Sequence, residues 1–252
     1  MSKRVVFDIG HGIDTWPPNK GVYLPDGSSF AEHSFNSAVA LKARELAEAH
    51  GFEVLFTQEP GQKDVPIGTR ATWVNAEHKK APISCLISFH ANASASNTKA
   101  SGWSAFHWYS SENGRRLAEL WAAYAKKLLL IGPWSAGSIW GCKPDTWYNF
   151  DIVRKPVVPC ILVEHFFFTT LDELGKCNTA EYIDLCAEVA VRALCDYAGV
   201  VYQEPVKTNH WAEGAYKYLT EEKGITIHDR RFDDAITRGE VIALMARMQG
   251  YS

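Results

Sequence analysis

A chain of 252 residues with a formal net charge of -3 and 22% charged residues is typical of a globular protein with one substantial domain and a small appendage. The slight acidic excess argues against a nucleic-acid-binding surface, which would need a basic stripe, so we expect no nucleic-acid partner. The apolar runs are too short to cross a bilayer and the N-terminal segment has no signal-peptide pattern, so we expect cytoplasmic synthesis without membrane insertion.

Apolar and amphipathic segments alternate along the first part of the chain. The apolar runs predict strands at Arg4–Ile9, Phe52–Thr57, Ile83–Phe89, Trp103–Tyr109 and Cys160–Glu164, with a weaker one near Phe150–Arg154. The amphipathic segments predict helices at Glu32–His50, at Glu112–Leu130, and from a cap at Asn178 to Gly199. This alternation predicts an α/β fold, a twisted and mostly parallel sheet flanked by helices. Ligands of such folds bind beyond the carboxyl ends of the strands.

A long stretch without a clear period, Ile131–Tyr148, interrupts the alternation. Loops of such length are uncommon unless they are functional. The stretch carries Trp134, Trp140 and Trp147. Their rings either contact a ligand or simply anchor the loop, and the sequence leaves both options open.

The cysteines of the chain are spread over its predicted strands and helices. They lie at positions 85, 142, 160, 177, 186 and 195 and form no CxxC pair. For a protein made in the cytoplasm, this distribution favours buried free thiols over disulfides or a cysteine zinc site.

The sequence also predicts a division into two modules. Residues 200–209 are polar, contain Pro205 and lack a period, which is typical of a linker. Residues 210–252 are too few for a large core of their own, so we predict a small helical module there. Residues 1–199 then form the main domain.

Three chemically capable side chains fall at the ends of predicted elements. His11 follows the first strand within a Gly-His-Gly turn, His90 follows the third strand, and Glu32 opens the first helix. Two strand ends and a helix start can converge on one edge of an α/β sheet, and two imidazoles with one carboxylate leave a position open on Zn²⁺. The competing interpretation is that a histidine in a turn is only a surface or packed residue.

The run Cys160–Phe168, CILVEHFFF, places Glu164 in an apolar setting at the end of its strand. Poor solvation raises a carboxyl pKa, which suits a general base near neutral pH. The alternative is a carboxylate bonded to the backbone or to an arginine such as Arg70 or Arg154. Strand alternation points His165 to the opposite face, unless a bulge turns it back.

These residues resemble a known family in their order and local sequence. Asp8–Gly12, Glu32 at a helix start, the block Ile87–Ala93 (ISFHANA) and Leu162–Glu164 are similar to the zinc-dependent N-acetylmuramoyl-L-alanine amidases of the Amidase_3 family. The likeness spans roughly residues 4–198. It also implies the fold predicted above.

The resemblance implies a role for each of these positions. His11, Glu32 and His90 would hold one zinc ion, and Glu164 would be catalytic. The implied reaction is cleavage of the amide bond between N-acetylmuramic acid and L-alanine in peptidoglycan, by attack of a zinc-activated water. We further expect Asn92, Trp140 and Trp147 to contact substrate.

Two segments depart from the commoner family pattern, and both are more similar to the phage endolysins of the family. Glu164 is followed by His165-Phe-Phe-Phe rather than Gly-Phe, and the loop after His11 is long and carries Trp16-Pro-Pro. The resemblance therefore implies an endolysin for host lysis. Such a protein is made in the host cytoplasm without a signal peptide and reaches the bacterial wall after membrane permeabilisation.

The C-terminal residues contain four short segments of interest, His210–Ala212, Gly224-Ile225, Arg231–Asp234 and Ile236–Glu240. Together they resemble a single S-layer-homology motif, a kind that docks on secondary cell-wall polymers. Thr237 and Glu240 are explained without a ligand, because T-x-x-E is a capping box for a helix. Trp211 and Arg238 are therefore the candidates for wall binding. Such motifs usually come in threes, so a single copy leaves open whether the module binds glycan or self-associates.

Two other functions stay open at this point. A His/Glu/His zinc site would serve a carboxypeptidase or another amidohydrolase equally well, although a wall-binding module has no use for a small soluble substrate. The chain could also be a catalytically inactive wall-binding protein, against which the presence of all four key residues speaks.

Overall fold

One mixed sheet organises the part of the chain that the computed structural model describes, residues 2–97, 99–135 and 138–204. The strands are β1 Arg4–Ile9, β2 Gly21–Tyr23, β3 Ser29–Ala31, β4 Glu53–Phe56, β5 Leu86–Asn92, β6 Ser104–Trp108, β7 Ile139–Cys142 and β8 Cys160–Phe167. The helices are α1 Glu32–Ala49, α2 Ile67–Lys80, α3 Glu112–Leu128, α4 Asp151–Arg154, α5 Leu171–Cys177 and α6 Ala180–Ala198.

The sheet has the order β4-β1-β5-β8-β6-β7, and β2 and β3 form a separate antiparallel hairpin. The pairs of β1 with β4, of β1 with β5, of β5 with β8 and of β6 with β7 are parallel. Only the junction of β6 with β8 is antiparallel within this sheet. The predicted α/β fold with a mostly parallel sheet is therefore confirmed.

Helices cover both faces of the sheet because successive side chains of a central strand point in opposite directions. On one face, Val5, Phe7 and Ile9 of β1 belong to a core shared with α1, α3 and α6. On the other face, Val6 belongs to a second core shared with α2 and α4. Phe89 of β5 is fully buried in the first of these cores, and burying a large apolar side chain contributes about 1.5–3 kcal/mol.

The segment Phe150–Arg154, which the sequence predicts to be a weak strand, is a helix instead. Its residues Asp151–Arg154 form α4, and the consecutive residues Ile152 and Val153 are both buried. A strand would turn two neighbouring side chains to opposite faces, whereas one helical turn can bury both. Periodicity alone cannot separate these outcomes in so short an apolar run.

The cap of α6 also differs from the predicted one. Thr179 is the N-cap, with an extended backbone and a side chain that accepts a hydrogen bond from the Tyr182 amide. Asn178, the predicted cap, lies at the C-terminal end of α5 instead. The predicted end of this helix is confirmed, because Gly199 adopts the left-handed conformation of a helix C-terminus.

All six cysteines are free and buried, as the sequence predicts. Burial raises the pKa of Cys85 to about 12. Such a thiol stays protonated at neutral pH and is inert, which fits a purely structural role.

The first compact unit of the chain ends at Gln203, within the predicted linker at residues 200–209. The predicted module at 210–252, with Trp211 and Arg238, lies outside the described residues. In the part of the chain that is described, helices long and apolar enough to span a membrane are not found.

Candidate active site

His11, Glu32 and His90 come together at the carboxyl end of the parallel strands. β1 and β5 are parallel neighbours in which Ile9 lies opposite Phe89. The residues that follow Ile9 and Phe89 therefore reach the same edge of the sheet. Glu32 is the first residue of α1, and its amide donates to the Lys20 carbonyl oxygen at 2.9 Å. The topology therefore brings together two strand ends and a helix start, as the sequence predicts.

The Gly-His-Gly turn after β1 has a local steric cause. A Cβ on Gly10 would overlap the imidazole of His90, and a Cβ on Gly12 would overlap the backbone of Asp64. Between them His11 adopts a left-handed conformation with φ of 63°, which is uncommon for a residue with a side chain. The two glycines let the chain pass close to its neighbours while His11 turns toward Glu32.

The three side chains are close enough to share one metal ion. Nε2 of His11 lies 3.2 Å from Oε2 of Glu32, and Nδ1 of His90 lies 3.0 Å from Oε1 of Glu32. Their ligand atoms all lie within 4.8 Å of one another. Ala91 donates its amide to Oε1 of Glu32 at 3.2 Å, which helps to hold the carboxylate in place.

The electrostatics of this cluster favour a charged Glu32 carboxylate and a neutral His11 ring. Burial opposes the charge on Glu32, but the hydrogen bonds and charges of His11 and His90 outweigh it and lower the pKa of Glu32. Burial also lowers the pKa of His11 against the attraction of Glu32. The lone pair of an unprotonated imidazole nitrogen and a carboxylate oxygen repel each other unless a proton or a cation lies between them.

Glu164 lies on β8 directly opposite His90 of β5. It is 9% exposed, and its buried Oε2 has no hydrogen-bond partner among the described residues. Burial, assisted by the negative charge of Glu32, raises the pKa of Glu164 well above the ordinary carboxyl value. An unpartnered carboxyl oxygen with a raised pKa is equipped to accept a proton near neutral pH.

The arginine partners considered for Glu164 are engaged elsewhere. Arg70 is buried and pairs with Asp8 at 3.1 Å and with Asp64 at 2.6 Å. Arg154 pairs with Asp151 in its own helix. The structural explanation of Glu164 as a member of an arginine ion pair is therefore wrong.

An open groove passes over this cluster in two arms. The larger arm has a volume of about 380 Å³, and its lining combines apolar side chains with charged ones that include Asp64 and Asp151. The smaller arm has a volume of about 160 Å³ and a lining that includes aromatic rings and Asn92. Four residues line both arms and so mark their junction: Lys20, His90, Phe150 and Glu164.

The three residues predicted to contact substrate lie in different surroundings. Asn92 and Trp147 line the smaller arm, and Trp147 is 64% exposed. Trp140 lines neither arm; its ring stacks on Phe106 with a centroid distance of 6.4 Å. Trp134 contacts Phe167 in an edge-to-face arrangement with a centroid distance of 5.3 Å.

His165 lies on the face of the sheet opposite to Glu164, as strand alternation predicts. A register shift in the pairing of β5 with β8 falls after the His90–Glu164 pair and leaves His165 among core aromatic rings. Its Nδ1 donates to the His90 carbonyl oxygen at 2.9 Å. Burial lowers the pKa of His165 to about 4, so the ring is neutral.

Sequence reasoning missed two residues at the junction of the arms. Lys20 lies in the long loop after His11, and Phe150 lies in the segment predicted to be a strand. Neither belongs to a motif or to a periodic segment that would mark it. Only the folded chain reveals that both border Glu164.

The chain was compared with protein families, curated sequences and solved structures. The model of the Amidase_3 family, described as N-acetylmuramoyl-L-alanine amidase, matches residues 5–196. No curated protein sequence matches the chain.

Several solved structures have a similar fold. The catalytic domain of CwlV, an N-acetylmuramoyl-L-alanine amidase from Bacillus (Paenibacillus) polymyxa var. colistinus, is 19% identical with a TM-score of 0.65, over 80% of this chain and 100% of that one. An N-acetylmuramoyl-L-alanine amidase from Clostridium difficile 630 is 24% identical with a TM-score of 0.65, over 79% and 97%. AmiC2 of Nostoc punctiforme is 20% identical with a TM-score of 0.62, over 78% and 97%. At these identities the likeness establishes the fold.

Proposed function

This chain belongs to the Amidase_3 family of N-acetylmuramoyl-L-alanine amidases, and from that premise we propose that it hydrolyses peptidoglycan at the amide bond between N-acetylmuramic acid and L-alanine. One observation carries the proposal. The carboxyl group of Glu164, whose Oε2 is buried without a hydrogen-bond partner among the described residues, lines the same groove as the His11–Glu32–His90 cluster. A base and a candidate metal site that face one groove are the parts an amide hydrolase needs.

The donor set of the cluster fits zinc. Two imidazole nitrogens and one carboxylate are ligands that Zn²⁺ prefers, and three protein ligands leave a position for reactants. His11, Glu32 and His90 would hold the ion, and a cation between them would remove the repulsion of ring nitrogens and carboxylate. When bound, zinc supplies Lewis acidity, which lowers the pKa of water and polarises a carbonyl group.

Glu164 moves the proton in the proposed reaction. Its carboxylate takes a proton from the attacking water, whose oxygen forms the new bond to the carbonyl carbon of the muramic acid. The carbon–nitrogen bond then breaks, and Glu164 gives the proton to the departing nitrogen of L-alanine. Because the surroundings raise the pKa of Glu164, the same group can accept the proton and release it again.

The two arms of the groove suit different halves of the substrate. Trp147 and Asn92 in the smaller arm offer an exposed aromatic face and an amide, groups that stack on and hydrogen-bond to sugar rings. We assign the glycan to this arm and the stem peptide to the larger, charged arm. In this assignment Trp140 does not contact the substrate, since its ring packs against Trp134 in an aromatic cluster.

We extend the proposal to an endolysin that acts on the bacterial wall during host lysis. What supports this role is the likeness of the loop after His11 and of the segment after Glu164 to phage members of the family. Residues 210–252, through Trp211 and Arg238, would tether the enzyme to a secondary cell-wall polymer. A wall tether would raise the local concentration of enzyme at its insoluble substrate.

Mass spectrometry of digested peptidoglycan, with metal content measured on the same sample, tests the proposal. We expect new amino termini of L-alanine, intact glycan strands and one zinc ion per chain. Release of sugar reducing ends would identify a glycosidase instead. Turnover of free dipeptides but not of muropeptides would favour a carboxypeptidase, and no turnover by the wild type would favour an inactive wall-binding protein.

A further inference from the structure

Lys20 holds the only side-chain ammonium group that lines the groove within the described residues. It borders both arms, together with His90, Phe150 and Glu164. The proposed reaction assigns no role to this charge. A cation beside the reacting position can either bind an anionic part of the substrate or act on the reacting atoms.

The ammonium group of Lys20 forms no ion pair within the described part of the chain. The other cation of the larger arm, Arg70, is occupied by Asp8 and Asp64. Asp151, the remaining acidic side chain of that arm besides Glu164, pairs with its helix neighbours Arg154 and Lys155. Every charged side chain of the larger arm other than Lys20 and Glu164 is therefore engaged in an ion pair within the described residues.

The backbone of Lys20 is held in a fixed and unusual position. Its carbonyl oxygen accepts the amide of Glu32 at 2.9 Å, and its φ is 61°. Glycine or asparagine would adopt this left-handed conformation at lower cost. A lysine here is therefore explained by its side chain. Its side chain lines both arms of the groove, together with His90 and Glu164.

We propose that Lys20 determines substrate specificity by binding a carboxylate of the stem peptide on the alanine side of the scissile bond. This inference rests on the proposed function. The glycan half of the substrate offers no anion, because the carboxyl group of the muramic acid is consumed in the amide. The peptide half carries its first free carboxylate on the second residue, as D-glutamate, and loses that charge where the residue is amidated to D-isoglutamine.

A pair of muropeptides that differ only in this group tests the inference. One carries D-glutamate as the second stem residue and the other D-isoglutamine, and kcat and KM are measured for both with the zinc-loaded full chain. We expect the wild type to prefer the D-glutamate substrate about fivefold to tenfold, mainly through KM, as for a partly exposed charge-assisted contact. In Lys20→Asn, which tolerates the left-handed backbone, this ratio should fall to near one.

Two further variants complete the test. Lys20→Arg keeps the charge and should keep most of the preference. Lys63→Asn removes an exposed lysine from the chain segment before Asp64 that lines neither arm, and it should match the wild type.

Each other outcome has a distinct meaning. Equal kcat losses on both substrates in Lys20→Asn would overturn the inference and assign Lys20 to the reacting atoms. An unchanged preference in that variant would also overturn it, and so would a wild type without preference. If the wild type cleaved neither muropeptide, the proposed function itself would fail and the inference with it.

Discussion

The imidazole of His165 holds the main chain of the metal-ligand candidate His90 from the opposite face of the sheet. Its Nδ1 donates to the His90 carbonyl oxygen at 2.9 Å, while the His90 side chain points to Glu32. The ring is fixed in turn by the neighbouring aromatic rings of Phe89 and Trp121. The candidate metal site thus depends on a core residue that never faces the groove.

We predict that His165→Phe lowers both the stability and the zinc affinity of the protein. The replacement leaves a buried carbonyl oxygen without its donor, at a cost of about 1–3 kcal/mol. Loss of a group that orients a metal ligand typically lowers metal affinity roughly tenfold to a hundredfold. Denaturant unfolding measures the first effect, and competition with a zinc chelator measures the second.

Tyr182→Phe is the matched control for this variant. The Tyr182 hydroxyl donates to the carbonyl oxygen of His165 itself at 2.8 Å. Removing it should lower stability to a similar extent without changing zinc affinity. Equal zinc affinities in His165→Phe and the wild type would mean that His165 only packs.

The sequence predicts well those features that follow from local pattern. β1 agrees with its predicted bounds because the apolar run Val5–Ile9 stops at a glycine. The side of the sheet that His165 faces follows from alternation, because the register shift between Glu164 and Phe167 does not turn its ring back: the ring packs on Phe89 and Trp121. Hydrophobic periodicity and turn residues are local properties of the sequence, and the features that they predict here are present in the structure.

Features that depend on contacts distant in sequence could not be predicted. β7 was missed because Ile139–Cys142 is a short strand in an aromatic stretch and pairs only with β6. Lys20 was missed because nothing in a loop sequence indicates that its charge will lie beside Glu164. The convergence of His11, Glu32 and His90 is possible from their positions at the ends of elements, but it depends on the order of the strands, which the family resemblance implies and local pattern does not.

We predict that Glu164→Gln lowers turnover about a hundredfold to ten-thousandfold, the usual contribution of a general base. Zinc binding should persist, because Glu164 is not part of the His11–Glu32–His90 cluster. Wild-type kcat/KM should rise with pH as the base loses its proton, through a pKa raised by burial. Assays on purified peptidoglycan at a series of pH values measure both effects.

Glu119→Gln provides a control for this variant. Glu119 lies on the exposed side of α3, where it pairs with Arg115, and its loss should leave turnover unchanged. Full activity in Glu164→Gln would remove Glu164 from the mechanism.

We predict that zinc stabilises the protein only while the His11–Glu32–His90 cluster is intact. A ligand that binds the folded state alone, at a thousandfold excess over its Kd, adds about 4 kcal/mol to the free energy of unfolding. Chelator should therefore lower the Tm of the wild type, and zinc should restore it. In His90→Ala the Tm should no longer respond to zinc.

His107→Ala distinguishes this response from a general loss of a histidine. His107 is buried on β6 and lines neither arm of the groove. The variant should be less stable than the wild type but keep the full zinc-dependent rise in Tm. An equal zinc response in His90→Ala and the wild type would contradict the assigned site.

We predict that Arg70→Met destabilises the fold by about 3–5 kcal/mol, because it leaves the buried carboxylate of Asp8 without its cation. Arg70 is 3% exposed and also donates to the main-chain oxygen of Ile9 at 2.8 Å. Denaturant unfolding in the presence of chelator measures the change without a contribution from bound metal.

Arg154→Met is the matched control for the buried pair. Arg154 also pairs with an aspartate, but its side chain is 39% exposed. Its loss should cost less than about 1 kcal/mol, as for other surface ion pairs. Equal losses in the two variants would show that burial does not decide the strength of these pairs.

The last prediction concerns the stability cost of Glu164 in the metal-free protein. The folded-state pKa of Glu164 is raised above its unfolded value by burial and by the charge of Glu32. Between those two pKa values the unfolded chain binds fewer protons than the folded one, so stability falls as pH rises. The contribution of the protonated group is complete below the unfolded pKa and is lost as pH rises through the folded pKa.

Glu164→Gln removes this titration and keeps the shape of the side chain. With chelator present, we expect the variant to be more stable than the wild type at neutral pH, and the difference to shrink as pH falls toward the ordinary carboxyl range. Free energies of unfolding at several pH values measure it, and because the variant keeps Glu32, the comparison isolates Glu164. A difference that does not change with pH would mean that Glu164 titrates normally in the folded protein, and the raised pKa on which its role as a base depends would then be wrong.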